Sequence, residues 1–388
     1  MKKKGNMIYV GFFFVLCLIP SVGMLLPQTQ GSATENRKLA LWPQLRTEEG
    51  WNTDFLSEAG EYFQDHFGFR QQLVTANALI NGKIFGVSTA DGVIQGKNGW
   101  LYYKDSLSDY LGTEPMSERA LFNVAHTLSM MQDYTEKSGA KFLFTIAPNK
   151  NTLYGENMPY YDSMIVSEDK NMDRIEAYLE KENVNYVNLK EILESSDEVL
   201  YHERDSHWNN KGAALAGDAL MTALDKEHTD YTQESYEECV DFTGDLDEML
   251  YPLALTEEKE IYYDKADVFA YVGEVESNFD PKITTVNPGS TGSLVMYRDS
   301  FGNAILPFFC KQLCKRLLFQ RYPLSDDRSC GASGRYCDRG ACRAISAGNG
   351  RKSAADGGTA ADGRSSYGAG NGRKCTGHSH RRSAGRSG

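Results

Sequence analysis

The stretch RDSHWNNKGA, residues 204–213, decides how the rest of the chain is interpreted. It places the carboxylate of Asp205 two residues before the imidazole of His207, just ahead of an apolar run that is typical of a helix. A carboxylate that accepts from one ring nitrogen fixes the histidine tautomer and leaves the other nitrogen to take a proton. The pair therefore predicts two thirds of a Ser-His-Asp triad. In the simpler alternative, Asp205 only caps the helix and His207 is structural.

Ser300 is the candidate nucleophile for this pair. It follows an apolar strand and precedes the run FGNAIL, which favours a helix. A serine at a strand-to-helix turn presents its hydroxyl at the sheet edge, where the first N–H groups of the helix can hold an oxyanion. Most serines before helices are only N-caps, so the case for Ser300 as a nucleophile depends on the presence of the Asp205 and His207 pair.

Strands alternate with helices through the central part of the chain. Helices are predicted at 117–138, 167–182 and 212–224, and buried strands at 141–147, 184–189 and 293–297. This order is typical of an α/β fold with a mostly parallel sheet and helices on both faces. Ligands of such sheets bind beyond the carboxyl ends of the strands. The segments after Ala147, Leu189 and Tyr297 are therefore predicted to share the edge that carries the site.

The N-terminal part is predicted to be an anchor followed by a linker and helices. Residues 1–26 combine three lysines with a long apolar run, the pattern of a signal anchor or signal peptide. Residues 27–90 contain a linker and amphipathic helices, and 93–103 predict a β-hairpin with Asn98 and Gly99 in the turn and Trp100 in the core. These patterns predict a single-pass membrane protein with an extracellular body, or a secreted protein if the signal is cleaved.

The C-terminal 79 residues differ sharply from the body. Residues 310–388 hold 16 Lys or Arg against 5 Asp, so this tail is near +11 and the body near −23. Codons can be chosen for which the neighbouring frame reads as further helices and a strand, so we interpret 310–388 as a frameshifted, disordered Gly/Arg-rich tail. A basic anion-binding arm and a cysteine-based site fit less well. Outside the tail only Cys17 and Cys239 remain, so the body is expected to lack a disulfide framework.

Six segments in this order resemble a known family. They are ENRKLALWP, YFQDHFGFR, GKNGWLYY, APNKNTLYGENMP, RDSHWNNKGA and YRDSFG, within about residues 35–309. Together they are similar to the AlgX/AlgJ group of alginate O-acetyltransferases and its Gram-positive relatives named for a DHHW-type motif. The resemblance implies an extracytoplasmic SGNH-hydrolase-like domain at 91–309, incomplete at its end, with a triad of Ser300, His207 and Asp205 in permuted order. It also implies acetyl transfer to or from a cell-surface polysaccharide, with a membrane-bound O-acyltransferase as donor.

Five further residues are candidate substrate contacts. Asn149 and Lys150 stand at a strand end, and Tyr201, Arg204 and Trp208 flank the motif. No cofactor is predicted, and a metal site is disfavoured because no HExxH or second ligand set accompanies the histidines. The acidic body disfavours nucleic acid as a partner. Two alternatives remain open: a non-catalytic cell-envelope protein that binds or assembles polymer, and the inactive product of a disrupted gene.

Overall fold

We describe the protein from a computed structural model. It describes residues 40–47, 50–263, 269–275, 280–313, 315–320 and 375–378, together with residues 10–15, 18 and 23. Most of the predicted anchor at 1–26 and most of the predicted tail at 310–388 lie outside these residues. Within the described ranges, no helix combines the length and the apolar character that crossing a membrane requires. The anchor, the frameshift and the domain boundaries stay predictions.

Ten α-helices are named here among the described residues. They are α1 (Phe55–His66), α2 (Arg70–Ile80), α3 (Leu107–Leu111), α4 (Glu118–Lys137), α5 (Lys150–Leu153), α6 (Asn171–Lys181), α7 (Leu189–Glu194), α8 (Asn210–Ala223), α9 (Asp245–Leu250) and α10 (Phe301–Gln312). Helices α4, α6 and α8 confirm the three predicted helices to within a few residues. The hydroxyl of Ser117 caps α4 by accepting from the N–H of Ala120 at 3.2 Å.

The described strands are mostly short. They are β1 (Arg46–Thr47), β2 (Gly50–Trp51), β3 (Val93–Gln95), β4 (Leu101–Tyr103), β5 (Phe144–Thr145), β6 (Tyr186–Val187), β7 (Tyr236–Phe242), β8 (Glu258–Tyr263), β9 (Ala270–Tyr271), β10 (Lys282–Val286), β11 (Ser293–Arg298), β12 (Lys315–Gln320) and β13 (Cys375–His378). They form the sheets β11-β12-β10-β9 and β13-β7-β8 and three two-stranded pairs. Pairing is parallel for β5 with β6 and for β11 with β12.

The chain divides into two compact units. The first contains Met1–Gly212, Glu238–Ile261 and Gly370–Gly377, and the second contains Ala213–Glu237, Tyr262–Ala369 and His378–Gly388. Asp205 and His207 therefore belong to the first unit and Ser300 to the second. Cys239 on β7 is disulfide-bonded, which adds one covalent link to a body for which the sequence predicted no disulfide framework.

The β3–β4 hairpin organises the core of the first unit. Successive strand residues point to opposite faces, so the hairpin serves two apolar clusters. One cluster contains Val93 and Leu101 with residues of α2 and α9, and the other contains Ile94, Trp100, Tyr102 and Met158. Asn98 and Gly99 occupy the turn with φ of 57° and 90°. The predicted hairpin, its turn residues and its buried Trp100 are thus confirmed.

A parallel pair of strands forms the α/β part of the first unit. β5 and β6 pair in parallel, and helices α4 and α6 cover them through a core of Leu121, Ala125, Ile175, Leu179 and Val184. Both strands are shorter than the sequence predicted. Their carboxyl ends lead to Asn149, at the start of α5, and to α7, so these connections do lie beyond the strand ends.

In the second unit, β11 runs directly into α10. β12 pairs with both β11 and β10, and Leu306 of α10 packs with Ile283 of β10 in the local core. Farther along, Phe308 contacts the ring of Tyr231 at a centroid distance of 4.8 Å. α10 continues to Gln312, β12 spans Lys315–Gln320 and β13 spans Cys375–His378, so described elements continue beyond the predicted break at 310.

Candidate active site

The loop that carries Asp205 and His207 is closed at its base. Tyr201 and Trp208 form an antiparallel bridge, and both side chains are buried. The hydroxyl of Tyr201 donates to the carbonyl of Pro148 at 2.6 Å. Gly212 is required beside the bridge, because a Cβ there would lie 2.5 Å from the carbonyl oxygen of Leu200. The loop therefore starts and ends at points fixed by burial and hydrogen bonds.

Asp205 binds His207 in the geometry of a triad orienter. Its Oδ1 lies 2.8 Å from Nδ1 of His207 and also accepts the backbone N–H of His207 at 2.8 Å. Its Oδ2 accepts the N–H of Asp245 at 2.8 Å. Burial raises the pKa of Asp205, but the imidazole and this N–H outweigh burial and hold the pKa well below its ordinary range. An ionised Asp205 makes Nδ1 the donor, so Nε2 is the nitrogen that can take a proton.

Lys150 donates hydrogen bonds to the backbone of the loop. Its side chain is buried, and Nζ donates to the carbonyl oxygens of His202, Glu203 and Asp205 at 3.1, 3.0 and 2.6 Å. The ammonium also lies 5.0 Å from the centre of the Tyr102 ring. Burial lowers the pKa of Lys150 to about 8, against the opposing pull of nearby carboxylates. An ammonium has three N–H donors, and here they satisfy three carbonyls of the loop that carries Asp205 and His207.

Two glutamates of β8 also bind the loop. Glu258 accepts the backbone N–H groups of Glu203 and Arg204 at 2.9 and 3.2 Å. Glu260 is buried, lies 3.0 Å from Nε2 of His202, and accepts the N–H of Asn210 at 3.1 Å. Burial lowers the pKa of His202, but Glu260 outweighs it and the pKa is raised. Side chains from α5 and β8 therefore bind the backbone of the loop.

The Arg204 side chain binds the start of α9. Its Nε donates to Oδ1 of Asp247 at 2.7 Å, and Nη2 contacts the same oxygen. Nη1 donates to the carbonyl of Gly99 at 3.1 Å. The Asp247 side chain is fully buried, so removing the guanidinium would leave a buried carboxylate without its cation.

A second carboxylate lies beside the histidine. Oδ2 of Asp245 is 3.7 Å from Nδ1 of His207, and the hydroxyl of Ser206 donates to the same oxygen at 2.5 Å. Asp205, His207 and Asp245 offer ligand atoms within 4.8 Å of one another, which is close enough to hold a metal ion. N–H and O–H donors already occupy the carboxylate oxygens, and this arrangement suits the orientation of an imidazole.

The part of the chain that builds this loop matches a family model. Residues 93–272 match the model described as SGNH hydrolase-like domain, acetyltransferase AlgX. These residues form an SGNH hydrolase-like domain of the AlgX/AlgJ type. The α/β fold class predicted from the sequence is thereby confirmed, and this AlgX/AlgJ-type domain contains Asp205, His207, Asp245 and Lys150.

Relatives of the AlgX/AlgJ-type domain include a curated protein and solved structures. Over 178 residues the chain is 24% identical to "Probable alginate O-acetylase AlgJ" of Pseudomonas syringae pv. tomato (strain ATCC BAA-871 / DC3000), a match that covers 45% of the chain and 43% of that relative. The chain thus spans less than half the length of that protein. The solved structure of a DHHW family protein from Eubacterium siraeum DSM 15702 is 18% identical, with a TM-score of 0.39. That match covers 50% of this chain and 75% of the other. PatB1 from Bacillus cereus is 16% identical, with a TM-score of 0.43. That match covers 59% of this chain and 87% of PatB1.

Ser300 lies beyond the matched residues, at the junction of β11 and α10. It is the N-cap of α10, with φ −67° and ψ −26°. Oδ1 of Asp299 accepts the N–H of Phe301 at 3.0 Å, as expected of a residue that stabilises the turn. The strand-to-helix position predicted for Ser300 is confirmed. Its alignment with His207 of the AlgX/AlgJ-type domain stays a prediction.

The candidate substrate contacts have local roles in the AlgX/AlgJ-type domain. Tyr201 and Trp208 close the loop, and Lys150 and Arg204 bind loop carbonyls and Asp247. Asn149 differs from them: it is half-buried, and its side chain makes no hydrogen bond to another described residue. Their contact with substrate stays a prediction, and Asn149 has the amide most available for it.

Sequence reasoning missed the acidic residues that surround the loop. Asp245, Asp247, Glu258 and Glu260 come from α9 and β8, 39 to 58 residues away from their loop partners. One signal was present: EKE at 258–260 puts two glutamates on the same face of a strand, where apolar residues are usual. No sequence signal pointed to Gly244, where a Cβ would lie 2.3 Å from the carbonyl oxygen of Arg204.

Proposed function

We propose that this chain transfers acetyl groups to, or removes them from, a cell-surface polysaccharide through an acyl-enzyme on Ser300. The observation that supports this most is the contact between Asp205 and His207, in which an ionised, buried carboxylate lies 2.8 Å from Nδ1. The name of the AlgJ relative supports acetyl transfer and a polysaccharide as the acceptor. The apolar N-terminal run supports an external location beside the membrane. The family resemblance implies a membrane-bound O-acyltransferase as the donor.

The proposed reaction has two halves. First, Nε2 of His207 takes the hydroxyl proton of Ser300 while Oγ attacks the acetyl carbonyl of the donor, and the departing group then leaves with that proton. This forms acetyl-Ser300. Second, His207 takes a proton from a sugar hydroxyl or from water, the resulting oxygen attacks the acetyl group, and Ser300 regains its hydrogen. A sugar hydroxyl makes the chain a transferase, and water makes it an esterase.

Ser300→Ala tests this proposal. The expected result is loss of p-nitrophenyl acetate turnover, together with loss of the acetylated Ser300 peptide that mass spectrometry should detect in the parent protein. Binding of the polysaccharide should remain, because the substitution removes one hydroxyl at the start of a helix. Ser108→Ala, on the short helix α3, is the matched control and should retain turnover.

Two results would refute the proposal. Turnover that survives Ser300→Ala would exclude Ser300 as the nucleophile. A parent protein that binds polymer but never forms acetyl-Ser300 would favour the non-catalytic polymer-binding alternative.

A further inference from the structure

The Nδ1 side of His207 faces two carboxylates. Asp205 lies at 2.8 Å and Asp245 at 3.7 Å. The two are also joined to each other, because the N–H of Asp245 donates to Oδ2 of Asp205 at 2.8 Å. A Ser-His-Asp mechanism requires only one orienting carboxylate, so the second needs its own explanation.

Ser206 fixes the side chain of Asp245 in this position. Its N–H donates to Oδ1 at 2.8 Å and its hydroxyl donates to Oδ2 at 2.5 Å, so both oxygens are directed by one residue. The same hydroxyl oxygen lies 3.1 Å from Nδ1 of His207. Ser206 therefore bridges Asp245 to the imidazole.

Backbone groups at the start of α9 contact the backbone of the loop directly. Gly244 packs so closely that a Cβ would lie 2.3 Å from the carbonyl oxygen of Arg204, and the N–H of Asp247 donates to that oxygen at 3.1 Å. Rotation of α9 away from the loop would break these contacts together. Asp245 is thus held by backbone contacts as well as by its side chain.

The two carboxyls differ in their charge behaviour. Asp205 stays ionised at low pH, while burial and the nearby charge of Asp205 raise the pKa of Asp245 to about 6. Groups from every neighbouring element act on Asp245 or respond to it: Asp205, Ser206 and His207 from the loop, Glu248 from α9, Lys150 from α5 and Tyr103 from β4. Two interacting acids whose pKa values separate in this way are typical of functional sites.

We propose that Asp245 is a second positioning residue for His207, which locks Asp205 through its backbone N–H and places a negative charge beside Nδ1 through the Ser206 bridge. The inference rests on the proposed function for its catalytic consequence. When ionised, Asp245 stabilises the imidazolium that forms as His207 takes the serine proton, because opposite charges at this separation attract. Protonation of Asp245 removes that support.

The test that does not depend on catalysis is an NMR titration of the His207 ring. The chain has seven histidines, so the His207 signal is assigned as the one lost in His207→Gln. In Asp245→Asn, which keeps the backbone N–H, the titration midpoint of the His207 ring should move to lower pH by about one unit. Ser206→Ala should also lower the titration midpoint of the His207 ring, by a smaller amount. In Asp245→Glu, which keeps the carboxylate, the midpoint should lie between those of the parent protein and Asp245→Asn.

Ester turnover measured against pH provides the second readout. In Asp245→Asn, kcat should fall about tenfold at pH 8 with KM unchanged, and the dependence on a group titrating near pH 6 should disappear. Asp133→Asn is the control: it removes the same charge from an exposed site on α4, where the side chain is 68% accessible, and should change neither readout.

The outcomes separate the two proposals. An unchanged His207 midpoint in both Asp245→Asn and Ser206→Ala would overturn the role of Asp245, whatever the turnover. A shifted midpoint in a protein without any ester turnover would support the positioning role and overturn the proposed function.

Discussion

Replacing Lys150 with methionine tests whether the buried ammonium holds the loop that carries Asp205 and His207. Methionine keeps most of the apolar volume and removes all three hydrogen bonds to loop carbonyls. Hydrogen bonds to a charged group contribute about 1.5–3 kcal/mol each, so the gross loss is roughly 4–9 kcal/mol. Relief of the desolvation that lowers the pKa of Lys150 to about 8 returns about 3 kcal/mol. The expected net loss of unfolding free energy is therefore about 3 kcal/mol.

The assay combines urea unfolding with ester turnover and the NMR signal of the His207 ring. Lys150→Met should lower the unfolding free energy, reduce kcat and broaden the His207 signal, because the carbonyl of Asp205 loses its anchor. Lys170→Met is the matched control, since Lys170 also donates to two backbone carbonyls, those of Tyr110 and Ser167. It should lower stability without changing the His207 signal. A stable Lys150→Met protein with normal kcat would refute the reasoning.

Two further predictions concern α9 and the pH dependence of stability. Gly244→Ala should lower the unfolding free energy by about 2 kcal/mol and reduce turnover, because the added Cβ would lie 2.3 Å from the carbonyl oxygen of Arg204; a thermal melt that matches the parent would contradict this. The free energy of unfolding should fall by roughly 2 kcal/mol between pH 5 and pH 8 because three carboxyl groups have raised pKa values. The fall is smaller than those pKa shifts imply, since the three groups are partly solvated. The cause is that burial raises the pKa of Asp218 and Glu248 to about 7 and that of Asp245 to about 6, so the folded state binds more protons than the unfolded state across this range. Melting curves that are flat or rise over this pH range would exclude that sign.

The local features of the site followed from the sequence. Asp205 and His207 meet because only Ser206 separates them in one tight loop, and Ser300 lies at the start of a helix because it follows a strand and precedes a helical run. The β3–β4 hairpin followed in the same way from Asn98 and Gly99, which accept positive φ. In each case the interacting groups lie within a few residues, so propensity and spacing decide the result.

Strand extent and pairing did not follow from the sequence. The apolar runs at 141–147 and 184–189 predicted longer strands than the two-residue β5 and β6. An apolar run shows that a segment is buried, but its hydrogen-bonded length depends on the partner that lies beside it.

The sequence by itself determined the contact between Asp205 and His207 and the position of Ser300 between a strand and a helix, because each is set by neighbours in the chain. Only the tertiary structure decided what surrounds them. Lys150 reaches the loop across 55 residues and Asp245 across 39, and nothing in the sequence around either residue predicts these contacts. Their roles come from burial, which leaves each charge dependent on the partners that folding brings to it.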